Sequence, residues 1–155
     1  MGNSLAEIAY EASLRSLDKQ EELLDEVRAR TGLLLAASSL AASFLGRPAL
    51  EHARPTIVAL ALVAFAISTG ASIYILLPKT KRFIFSLQGS AVYEKLFEFS
   101  DNLPELYRRL AYDLDRFWDE NDTTMTKLFR AFRFAAFGLA IEVVLLLASV
   151  SGTVF

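Results

Sequence analysis

The chain is 155 residues long, a length that suits one domain, and 54% of it is apolar, above the roughly 45–50% of soluble proteins. It has no cysteine, which excludes disulfides, thiolate catalysis and thiolate metal sites, and its one histidine, His52, makes no histidine metal centre by itself. A net charge of -2 lacks the strongly basic surface that phosphate recognition needs, so no metal, cofactor or nucleic acid is expected.

Residues 5–30 read as a helix. The run SLDKQEELLDEVRAR holds no Gly or Pro and is rich in strong helix formers. Tyr10, Leu14, Leu17, Leu24 and Val27 fall on one stripe, interrupted by Lys19 and Gln20. Glu21, Glu22, Asp25 and Glu26 read as one solvated face. Three uses of the stripe stay open: packing on the chain's own second charged segment, a coiled-coil seam between subunits, and lipid association. The start is acidic and amphipathic, so a secretory signal is not expected there.

The apolar excess sits in three blocks. The first, Thr31–Gly46, would reach only about 24 Å as a helix, short of the roughly 30 Å hydrocarbon core. A buried core helix and a completed span both fit. The span is expected, with Arg28 and Arg30 at the membrane boundary extending their stems to the interface. The link RPALEHARP follows, where Pro48 and Pro55 are expected to break helix on each side and make a hairpin. His52 then lies in a solvated loop.

The second block, Thr56–Pro78, is about 34 Å long as a helix and carries no charge. Lys79, Lys81 and Arg82 follow it directly and mark a membrane boundary. Small residues in AASSLAAS and STGAS would let helices approach closely, within one chain or between copies.

In the segment 79–133, Leu96, Phe99, Leu103, Leu106, Leu110, Leu114 and Phe117 make an apolar face. That face is a candidate partner or oligomer interface. Asp101 and Asn102 are good caps and Pro104 is tolerated in a first turn, so a break near 100–103 and a fresh helix are expected. Residues 121–124 either cap a further helix or are crossed by a continuous one. Phe83, Phe85, Phe129, Phe132, Phe134 and Phe137 lie near block ends. Among cations they suit apolar anchoring better than base stacking.

The third block, Phe134–Phe155, holds one charge, Glu142. A carboxylate within a span costs roughly 3 kcal/mol on insertion scales, so it faces protein or water. A proton or cation path, a pore-facing position in an oligomer, and a protonated or hydroxyl-bonded side chain, with Ser38, Ser39, Ser43, Ser68, Thr69 or Ser72 as the hydroxyl, are the alternatives. No phosphate loop, paired nucleophile or metal-ligand spacing is present, and no enzyme activity is expected.

With three spans, fourteen of the sixteen Lys and Arg residues share one side with the N-terminus and segment 79–133. Such a bias places that side in the cytoplasm and the C-terminus outside, across the cell membrane.

The stretch LDKQEELLDEVRARTGLLLAASSLAASFLG, residues 17–46, resembles small bacterial integral membrane proteins of uncharacterised function. In these an acidic helix passes through an R-x-R-T-G junction, here Arg28, Arg30, Thr31 and Gly32, into an alanine-rich span. The layout is also similar to the two-span and three-span effectors of bacterial nucleotide-signalled defence, including the class called SLATT. That second likeness is architectural. It implies a pore-forming or membrane-disrupting role triggered from the cytoplasm.

The expected protein is therefore all-α and integral to the membrane. A cytoplasmic helix (1–30), a spanning hairpin (31–78), a cytoplasmic helical or coiled-coil segment (79–133) and a third span (134–155) follow in order. Membrane lipid, further copies of the chain and a protein bound to the cytoplasmic helices are the expected partners.

Overall fold

The computed structural model describes residues 4–52, 54–78, 83–85, 89–97 and 101–151. Among these, every regular element is helical: α1 (Leu5–His52), α2 (Pro55–Leu76), α3 (Gly89–Leu96) and α4 (Leu103–Ser151). Three of them, α1, α2 and α4, are long and apolar enough to cross a membrane.

The ends follow local chemistry. Ser4 Oγ accepts the Glu7 N–H at 3.2 Å and satisfies one of the open amides that start α1. Pro55 opens α2, where its missing amide has no bond to lose. Leu77 closes it, donating its N–H to the Ile73 carbonyl, before Pro78. Asn102 Oδ1 accepts the Glu105 N–H at 3.3 Å at the head of α4, with Pro104 in the first turn.

One expected break is absent. Pro48 does not end α1, which continues to His52. A proline there removes its own amide donor and its ring crowds the carbonyl four residues back, so α1 carries Pro48 at a cost rather than ending at it. This matters for length. From Thr31 to His52 the helix rises about 33 Å, so the short first block is completed by the residues read as its loop. At the other open point, α4 crosses residues 121–124 without interruption.

The chain divides into two compact units, one of Met1–Asp25 with Lys79–Thr126 and one of Glu26–Pro78 with Lys127–Phe155.

In the first unit, α1 and α4 lie side by side and parallel. Ser13 Oγ donates to Asp115 Oδ1 at 2.6 Å, Gln20 Nε2 donates to the Trp118 carbonyl at 3.1 Å, and the Tyr10 and Tyr107 rings sit 5.5 Å apart. The core is made of Leu17, Leu24, Leu96, Leu110, Leu114 and Met125. The buried face of α1 is Ser13, Leu17, Gln20 and Leu24, with steps of 4, 3 and 4. Gln20 therefore belongs to the packed face rather than interrupting it, and Leu14 of the expected stripe turns outward. Buried Asn121 clamps the incoming chain: its Oδ1 accepts the Ile84 N–H and its Nδ2 donates to the Ile84 carbonyl. This pairs the main chain at Ile84 as a strand neighbour would.

In the second unit, α2 runs antiparallel to α4. Ser68 meets Ala135, Ala64 meets Gly138, and Ala61 packs with Leu146. Its interior mixes apolar Val27, Ile75, Leu128 and Leu146 with Thr31, Ser38, Ser68, Ser72 and Glu142, whereas Phe44, Leu62, Phe134, Phe137, Ile141 and Val144 are exposed. So many large apolar side chains on the outside is unlike a water-facing domain.

Candidate functional site

The candidate site lies in the second unit, around Glu142. The residue is on the inner face of α4, following Ala135 and Gly138 at helical spacing, and its side chain is 1% exposed. Ser38 Oγ on α1 donates to Glu142 Oε2 at 2.6 Å. Glu142 Oε1 takes no hydrogen bond among the described residues. In a low-dielectric interior the second oxygen is costly to leave open.

Among the described residues, the hydroxyl that serves the carboxylate is Ser38. Ser39 bonds the Leu35 carbonyl in its own helix, and Ser68 donates to the Ala135 carbonyl at 2.9 Å. Ser72 Oγ and Thr69 Oγ1 are buried without a partner among the described residues.

Close approach of α2 and α4 shapes the site. A Cβ at Gly138 would lie 3.0 Å from Ser68 Cβ and 3.1 Å from both the Ala64 carbonyl oxygen and the Ser68 nitrogen. A Cβ there would be crowded, so α2 would have to give by a few tenths of an ångström to admit one. A mere presence of small residues in a span was legible in the sequence. That Gly138 is the critical one, and Gly32 and Gly70 are not, depends on which face meets α2.

Beside Glu142 is a cleft of about 330 Å³, lined by Ala42, Ser43, Gly46 and Arg47 of α1, Val58, Ala61, Leu62 and Phe65 of α2, and Leu146 of α4. The continuation of α1 through Pro48 puts Arg47 on this helix, at the exposed rim, and not in a loop.

The remaining predicted residues divide. Leu96, Leu110 and Leu114 are buried in the first unit, Leu106 and Phe117 are half-buried, and Leu103 is 56% exposed. The stripe is thus split between α3 and α4, and its centre is consumed by packing within the chain. Arg30 is exposed and paired with Glu26, and Arg28 is half-buried. Lys79, Lys81, Arg82 and Phe99 lie outside the described residues.

In the first unit, a solvent-open groove of about 640 Å³ runs along Leu5, Ala9 and Ser13 of α1 and Glu105, Arg108 and Tyr112 of α4. Hydrogen bonds from Arg108 and Arg109 hold the Glu105 carboxyl below its ordinary range, and the same contact raises Arg108. Two guanidinium groups share the one carboxylate, so the trio keeps a net positive charge. Among the described residues, no group of three acidic or histidine side chains could hold a metal ion.

No family model, curated relative or solved structure matches the chain. Functional inference therefore rests on the geometry.

Proposed function

We propose that this chain is a non-catalytic multi-pass membrane protein with three spans, its first unit in the cytoplasm and its C-terminus outside. In this reading the cytoplasmic unit receives a signal or a partner, and the membrane unit, assembled from several copies, responds by opening a path for ions. The observation that carries the reading is the apolar surface of the second unit. Phe44, Leu62, Phe137 and Val144 face outward while Ser38, Ser68, Ser72 and Glu142 are buried among apolar neighbours, an arrangement that lipid favours and water penalises. Support for coupling comes from α1 and α4, each of which passes from one unit into the other without a break.

Two measurements test it. Purified protein in liposomes should release trapped ions, and Glu142→Leu should change the rate. A tag at residue 155 should be reachable only from outside the cell. Unchanged leakage across Glu142→Leu and Gly138→Ala sinks the conducting role, and an internal tag removes the third crossing.

The second reading is an adaptor subunit, and the groove between the starts of α1 and α4 favours it. Its test needs exposed positions. Leu110→Asp would disrupt the first unit itself, whereas Leu103→Asp and Tyr112→Asp lie on the surface. Loss of a stoichiometric partner from detergent pull-down with these two variants supports docking.

A further inference from the structure

We infer that the cleft beside Glu142 is a binding site for a small apolar amine, held through a protonated nitrogen that donates to Glu142 Oε1. The inference rests on the second unit lying in the membrane as proposed above, but not on ion conduction.

Three independent features converge. The first is the carboxylate: it is almost wholly buried, one oxygen is satisfied by Ser38, and the other takes no hydrogen bond among the described residues. A buried acceptor without a donor is an unfinished contact, and an ammonium N–H supplies both the missing bond and the opposite charge. The second is the shape. At about 330 Å³ the cleft falls at the small end of the roughly 300–1,000 Å³ range of ligand sites, which selects a compact body over a lipid chain. The third is the lining. Val58, Ala61, Leu62, Phe65 and Leu146 offer apolar contact around a single acidic group, the pattern of a site that orients a ligand by one polar anchor. Arg47 stands at the exposed rim of the cleft and does not donate to Glu142 Oε1.

The sign of the charge decides the class of ligand. An anion would face Glu142 at close range in a poorly screening environment. A neutral alcohol of equal size could donate one hydrogen bond but would leave the carboxylate's charge uncompensated. An amine does both.

Full-length protein in detergent would be titrated with 1-adamantylamine, a compact apolar cage with one ammonium, and with 1-adamantanol, the same cage with a hydroxyl, by calorimetry. Saturable binding of the amine is expected. The alcohol should bind the native chain, and the amine the Glu142→Gln variant, roughly tenfold more weakly than the amine binds the native chain, the size of one charge-assisted hydrogen bond. Gly46→Leu provides a second arm, because Gly46 lines the cleft and a Cβ there meets nothing within 4 Å. It should abolish binding while helical content and particle mass stay unchanged. Equal affinity for amine and alcohol, full binding by Gly46→Leu, or no saturable binding by the native chain overturns the inference. Liposome leakage reports separately on conduction, so either idea can fail without the other.

Discussion

The two units are built from the same pair of long helices, yet they differ in what covers their surfaces and in which polar groups they bury. In the first, Leu17, Leu110 and Leu114 are inside and Arg15, Glu22 and Arg108 are outside. In the second, Ser38, Ser68 and Glu142 are inside and Phe44, Phe137 and Val144 are outside. The helices do not change; the preferred surroundings do. Where water is the solvent, burying apolar area drives packing, at about 25 cal/mol per Å². Where lipid is the solvent that force vanishes between helices, and close packing and internal hydrogen bonds take over.

The sharpest way to break this comparison is a matched pair of substitutions. Leu114→Ala should cost about 2–5 kcal/mol of first-unit stability, since it empties a packed position. Phe137→Ala, at a side chain 68% exposed, should change stability in detergent by no more than about 0.5 kcal/mol. Denaturation followed by circular dichroism in micelles reads both. Comparable losses would mean that the second unit's outer face is covered by protein.

A smaller effect sharpens the account of packing. Gly138→Leu should destabilise the second unit by about 1–3 kcal/mol, because the new side chain must push α2 away at Ser68 and Ala64. Gly70→Leu, where nothing lies within 4 Å, should be nearly silent. Cross-linking between cysteines placed on α2 and α4 would report the separation. If both variants behave alike, the close approach at Gly138 is not what holds these helices together.

The smallest effect concerns pH in the first unit. Because Arg108 and Arg109 lower the Glu105 carboxyl below its ordinary 4.5, its contribution is complete above that value. It is lost as the pH falls through the lowered one. NMR titration should find Glu105 below the ordinary range in the native chain and returned toward it in Arg108→Gln. An unmoved midpoint would show that the pair is not formed in solution.

How much could be read in advance follows from the same solvents. The uncharged block at Thr56–Pro78 and the cap at Asn102 were legible because hydropathy and a capping side chain act locally. Pro48 lies inside α1, because a proline disfavours a helix without forbidding it. The stripe on α1 is legible in part. Leu17 and Leu24 announce themselves by hydrophobicity, whereas Ser13 and Gln20, on the same face by helical spacing, are buried because the Asp115 carboxylate and the Trp118 carbonyl accept their hydrogen bonds.

The sequence by itself determined an all-helical chain, the three apolar stretches and the one carboxylate among them, because composition and periodicity are properties of single segments. Only tertiary structure decided that Ser38 is the hydroxyl serving Glu142, that Gly138 sets the distance to α2, and that Arg47 rims a cleft. Each of those depends on which residue of one helix arrives opposite which residue of another, and segments remote in sequence carry no local mark of that pairing.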